Sequence, residues 1–254
     1  MWRVALSVWL LGGCIFDPAG LAAWEAGALP DSTSEKVDVV TDRMLPDGSG
    51  HDVERCDGSK VIGAELGAMA PLGLVGGSGG NHETQACPPG TLLVGFSSDW
   101  GEPWFSPRGL TNLVGLCQPV ALGIQGEVLW TAEPPESTPK VGSPGVAFIT
   151  VGAYDPVQCP EHTYIVGAKV FPNTVYVEGL ALACVALSVT QGQLQLGPIQ
   201  STAVLGQTTA QPTILACPLG SPHLAGGFEA MAGEVVDAFT LLCGPVWPRV
   251  QCGG

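Results

Sequence analysis

The chain has 254 residues, 46% of them hydrophobic, and a formal net charge of −14. That apolar content suffices for a packed core and excludes a disordered chain. Only 13% of residues are charged and no basic patch interrupts the acidic balance, which excludes the electrostatic footprint of a nucleic-acid binder and attraction to anionic lipid head groups.

Residues 1–13 carry one Arg, an apolar core and small residues at the end, the pattern of a signal peptide. Leu11-Gly12-Gly13-Cys14 follows and resembles the bacterial lipobox, which implies lipidation of Cys14 and a protein held on a membrane by its acyl chains. The other reading is a secreted protein with an incidental cysteine. Residues 15–56 hold nine acids against Lys36, Arg43 and Arg55. With Cys14, residues 15–55 are expected to be a flexible acidic tether.

Residues 56–254 are expected to form one all-β domain. Gly fills 36 positions of the chain and Pro 22, and no long stretch shows helical periodicity, so short strands between turns are expected. Val61-Ile62-Gly63-Ala64 opens the domain. A unit then occurs three times, a repetition that governs fold before local propensity does. It opens Cys87-Pro88, Cys159-Pro160 or Cys217-Pro218, reaches Gly95, Gly167 or Gly227, and closes at Cys117, Cys184 or Cys243. Before each Cys-Pro an apolar run ends in Gly76, Gly152 or Gly206. Repeats at about 57–122, 123–189 and 190–254 follow. Glu127–Thr131 and Gln193–Leu196 are expected as further strands, and Glu133–Pro139 as a surface loop. About four strands per repeat make three Greek-key antiparallel sheets. Each is too small to cover its own face, so the three pack as a β-prism with pseudo-threefold symmetry.

Nine cysteines occur. The simplest pairing is Cys87–Cys117, Cys159–Cys184 and Cys217–Cys243 within repeats, with Cys56–Cys252 joining the domain's ends and Cys14 left over. This usage points to an oxidising compartment. No Cys-x-x-Cys spacing exists and His is scarce, so no metal or other cofactor is expected. His51, His82, His162 and His223 stand at no catalytic spacing, and Ser78 lacks the strand-to-helix context of a nucleophile elbow. No enzyme is expected.

The unit from Cys-Pro through Gly-Phe to the second Cys resembles the repeat of vitelline-membrane outer-layer proteins, which implies three Greek-key sheets with internal disulfides. Gly76-Gly77-Ser78-Gly79-Gly80 and Gly233-Glu234-Val235-Val236-Asp237 resemble the two sugar-holding loops of jacalin-type lectins. The resemblance implies that Asp237 accepts hydrogen bonds from sugar hydroxyls, that Gly233, Glu234, Val235 and Val236 offer backbone N–H groups, and that Gly79 and Gly80 form the facing loop. The other repeats have Thr111 and Glu178 six residues before the closing Cys, where the third has Asp237. A second candidate is the loop Ser97–Phe105, in which Trp100 and Trp104 beside Asp99 and Glu102 suit stacking on a sugar face. The leading reading is an exported, lipid-anchored carbohydrate-binding module. The alternative is a structural or protein-interaction envelope lipoprotein with no small-molecule ligand. Neither the glycan nor the oligomeric state is readable here.

Overall fold

A computed structural model describes residues 60–103, 109–122, 128–129, 134–142, 148–190, 193–218 and 222–251. Every helix or strand among them is a strand. Cys14 and the rest of residues 1–55, the Cys56–Cys252 pair and Trp104 lie outside the described residues.

Each Cys-Pro is a corner that starts a strand. In Pro88-Pro89-Gly90-Thr91 the Thr91 N–H and hydroxyl both donate to the Pro88 carbonyl, at 3.1 and 2.7 Å. Gly90 supplies the positive φ of 82° that this turn needs. Thr163 closes the second corner on Pro160 at the same distances, with His162 at φ 64°. From these corners run Thr91–Ser97 and Thr163–Pro172, and the third unit supplies His223–Ala232. Their antiparallel partners are Val114–Pro119, Val177–Thr190 and Val236–Gln251. In all three hairpins the register slips at the unit's glycine: between Leu93 and Gly95, Ile165 and Gly167, and Ala225 and Gly227. A bulge repeated at one position is a feature of the fold, not of one strand.

The second sheet is the simplest. Its order is Gln193–Gly206, Val177–Thr190, Thr163–Pro172, Thr213–Ala216. Three strands follow in sequence and the fourth returns beside the first, which is a Greek key. In the first sheet Glu136–Ser137, Val114–Pro119, Thr91–Ser97 and Val157–Gln158 take the same places. A ladder of Phe148–Ala153, Asp99–Pro103 and Gly109–Leu110 prolongs its hairpin. In the third sheet the outer position is filled by Lys60–Leu66, Ala70–Pro71 and Val75–Gly76, and the returning strand is Asn81–Ala86. Ala121–Leu122 and Val128–Leu129 add beyond Lys60–Leu66 and join the first sheet's chain to the third. The architecture is thus all-β, three Greek-key antiparallel sheets arranged as a pseudo-threefold prism.

The pairing corrects the expected repeat boundaries. A sheet runs from one Cys-Pro to the next, about 87–158 and 159–216, and the third is closed by 217–251 together with 60–86. A cyclic repeat can be cut anywhere, and only the ladders show where. Of the expected surface loop Glu133–Pro139, Glu133 lies outside the described residues, and Pro134, Glu136, Ser137 and Pro139 are exposed as expected, but part of it is strand. Glu136 and Ser137 pair with Cys117 and Leu116, and Thr138 is buried with its hydroxyl accepting the Gly115 N–H at 2.9 Å. Gln193–Leu196 is a strand as expected, with Leu194 turned inward between exposed neighbours.

The three disulfides Cys87–Cys117, Cys159–Cys184 and Cys217–Cys243 are present, with Cα atoms 5.6 to 5.7 Å apart. They join neighbouring sheets. Cys87 hangs on the third sheet through its N–H to Gly226, Cys159 on the first through Val94, and Cys217 on the second through Val166. Their partners lie on the first, second and third sheets in turn. Each staple therefore closes one edge of the prism, and the three make a ring. These bonds place the chain in an oxidising, extracytoplasmic setting.

Phe96 and Phe228 follow the first and third bulge glycines, and their rings meet edge-on at 5.2 Å. Phe239 lies 5.5 Å from Phe96. The second sheet places Ala168 after its bulge glycine, a small residue that leaves room for the two rings. All four are fully buried.

Candidate functional site

At one end of the hairpins the threefold repeat brings a glycine against the backbone of each unit's polar position. Val75, Leu205 and Val141 pair with Phe239, Leu180 and Leu113. The next residues, Gly76, Gly206 and Gly142, have φ of 134°, 97° and 74°. A Cβ on them would lie 2.3, 2.2 and 2.9 Å from the carbonyl oxygens of Asp237, Glu178 and Thr111. Gly77 and Gln207 then donate their N–H groups to the Asp237 and Glu178 carbonyls at 2.7 and 2.9 Å. Gly142, not the expected Gly152, is therefore the counterpart of Gly76. The insertion after residue 142 hides this in the sequence.

Beyond that common anchor the units differ. In the third, the chain continues through Gly79 and Gly80, and both lie against the Asp237 carboxylate. A Cβ on Gly79 would stand 2.8 Å from Oδ1, and one on Gly80 would stand 2.6 Å from Oδ2. Gly80 also has φ 74°. Across the site Gly233 begins the hairpin turn, and a Cβ there would meet only Gly80 Cα at 3.7 Å. The Gly-rich run and the Gly-x-x-x-Asp turn are thus neighbours. Asp237 is 8% exposed. Burial raises its carboxyl above the usual aspartate range, and a hydrogen bond from its own backbone N–H pulls the other way. Among the described residues no other side chain donates to it. Of the expected backbone donors, Gly233 N–H is already given to the Val235 carbonyl at 3.0 Å. Glu234 is exposed and Val235 half-buried beside it.

The second unit carries the same carboxylate position filled from within. Glu178 is 2% exposed. Asn173 Nδ2 donates to its Oε1 at 2.9 Å, and the Thr209 hydroxyl donates to its Oε2. Asn173 occupies the place of Gly233, since Pro172 pairs with Val177 as Ala232 pairs with Val236. Thr209 occupies the place of Gly79, since each lies eight residues before its Cys-Pro corner. In the first unit the position is Thr111, fully buried, with no hydrogen-bond partner for its hydroxyl among the described residues.

The second sheet also contributes to the third site. A Cβ on Gly77 would lie 2.1 Å from the Val175 carbonyl, so the backbone of Val175 borders the glycine run. Val175 is 58% exposed. Reading motifs one repeat at a time gives no sign of it, because it comes from the neighbouring hairpin.

The described part of the loop from Ser97 forms the ladder of Asp99–Pro103 with Gly109–Leu110. Trp100 packs over Gly152, where a Cβ would lie 2.7 Å from the indole, and its ring lies 6.5 Å from that of Tyr154. The Asp99 carboxylate receives Asn112 Nδ2 at 2.5 Å and Lys140 Nζ at 3.1 Å. Both side chains are engaged in holding the hairpin to its own sheet. Among the described residues no group of His, Cys, Asp and Glu is placed to hold a metal ion.

Among solved structures the chain is similar to a mannose-specific jacalin-related lectin from Morus nigra in complex with mannose, at 13% identity and a TM-score of 0.41, covering 70% of this chain and 96% of that one. It is similar to Calystegia sepium agglutinin at 15% identity and a TM-score of 0.44, covering 70% and 97%. It is also similar to frutapin, a lectin from Artocarpus incisa, at 14% and 0.41, covering 70% and 98%. No family model matches the sequence, and no curated protein matches it.

Proposed function

We propose that the chain is a carbohydrate-binding module whose ligand group is the Asp237 carboxylate. One observation carries this reading: the carboxylate is nearly buried yet lacks side-chain donors, at a position where the sister unit supplies two. A buried carboxylate gains most from charge-assisted hydrogen bonds, and a sugar's hydroxyls supply them. Gly79, Gly80 and Gly233 leave the space in which such a ligand would sit. Glu234, Val235 and Val236 offer the backbone side of the turn, and Val175 borders the apolar rim. The reading needs neither Trp100 nor Trp104.

The proposal includes export and lipidation at Cys14, with residues 15–55 as the tether. Lys60 pairs with Gln251 at the far end of the strand that carries Asp237. Fourteen residues separate Gln251 from Asp237 on that strand, about 45 Å at roughly 3.3 Å per residue. Lys60, the first described residue, thus stands at the end of this strand opposite Asp237. Cys14→Ser should abolish fatty-acid incorporation and release the protein from membranes. Continued membrane association would contradict the lipid anchor.

The rival reading is an envelope protein with a structural or interaction role. A broad glycan array separates the two: the module reading expects binding to a defined set of glycans that Asp237→Ala removes while the melting temperature stays near wild type. An array without any binding supports the rival.

A further inference from the structure

We propose that Glu178 is the carboxylate of a second saccharide site, held shut by Asn173 and Thr209. The inference rests on the reading of Asp237 as a sugar acceptor. The two positions share the positive-φ glycine (Gly206 and Gly76), the N–H of the next residue on the carboxylate residue's carbonyl, and the same place in the hairpin. They differ in the carboxylate itself, Glu against Asp, in a turn one residue longer before Glu178, and in two facing side chains. Asn173 and Thr209 each satisfy one carboxylate oxygen of Glu178, and glycine stands at both places around Asp237. The amide and the hydroxyl occupy the positions from which a ligand's hydroxyls would donate, so they act as an internal ligand. The prism is built for more than one site and is kept to one by this pair. The ligand class is the same, a pyranoside presenting two neighbouring hydroxyl donors.

The consequence is a gain of function. In the full-length protein, Asp237→Asn removes the open site. Adding Asn173→Gly and Thr209→Gly is expected to restore binding of one equivalent of methyl α-mannoside or methyl α-galactoside by titration calorimetry. Further addition of Glu178→Gln should weaken it more than about tenfold. A triple variant that melts cooperatively and binds neither glycoside overturns the proposal. Should that variant not fold, Asp237→Asn with Thr209→Ala alone frees one oxygen of Glu178 and is expected to bind more weakly, with the same dependence on Glu178; no binding there overturns the proposal as well. The two readings fail separately. Wild type that binds while the triple variant does not leaves Asp237 standing and removes the Glu178 site. Wild type that does not bind while the triple variant does removes Asp237 and leaves Glu178.

Discussion

Gly79 lies so close to Asp237 that the Cβ it lacks would stand 2.8 Å from the carboxylate oxygen Oδ1. Any side chain there moves into the space assigned to a ligand. Gly79→Ala is therefore expected to lower glycan affinity at least tenfold while shifting the melting temperature little, because Gly79 is exposed. Gly80→Ala should lose affinity and also stability, by at least about 1–2 kcal/mol, since φ 74° is a left-handed conformation and a Cβ there would stand 2.5 Å from the Ala232 backbone. Affinity and melting temperature measured on both variants check the split.

Acid should abolish binding early. On the proposed reading the acceptor is the ionised form of Asp237, and burial raises its carboxyl above the usual aspartate range. Affinity is expected to fall as pH drops through that raised value, at higher pH than an unperturbed aspartate would give. Stability has the opposite sign. A raised folded-state pKa contributes stability at low pH that is lost as pH rises through it. At neutral pH Asp237→Asn should then be as stable as wild type or more so. Binding and unfolding profiles between acid and neutral pH check both signs.

Glu178 should behave in the contrary way. Glu178→Ala leaves the Asn173 amide and the Thr209 hydroxyl without their acceptor beside a buried position. The expected cost is about 1–3 kcal/mol, read from denaturant midpoints, with glycan binding unchanged. An equal cost for Asp237→Ala and Glu178→Ala would contradict the division into an open and a filled site.

The disulfide ring predicts that each bond matters to the packing of two sheets. Replacing Cys87 and Cys117 together by Ala should cost about 2–5 kcal/mol. Peptide mapping of the oxidised chain should recover the links seen here, and a Cys87–Cys159 link would overturn the three-sheet arrangement.

Much of the fold was legible because the unit repeats. Cys-Pro corners, bulge glycines and closing cysteines recur at matched spacing, and spacing alone suggested which cysteines pair. Sequence could not show that a cyclic repeat is cut at the Cys-Pro corners, nor that each staple therefore joins two sheets. Both facts depend on Lys60–Leu66 pairing with Val236–Gln251, strands at opposite ends of the domain. The site was half legible. Gly79, Gly80, Gly233 and Asp237 were found as short motifs, but their adjacency depends on the ladder that sets Gly76 beside Ala238. Val175 was invisible because it comes from another sheet. Gly142 is hidden in the sequence because a longer insertion separates it from its Cys-Pro corner. The comparison that gives the site its meaning, Asn173 with Gly233 and Thr209 with Gly79, was also present in the sequence. It becomes readable once register aligns the hairpins.

The most direct test is binding of the wild-type chain and its Asp237→Asn variant to a broad glycan array at neutral pH, with unfolding measured on both. The account expects the wild type to bind a defined set of glycans and the variant to bind none while unfolding at or above the wild-type midpoint. Glycan binding that survives Asp237→Asn unchanged would contradict it.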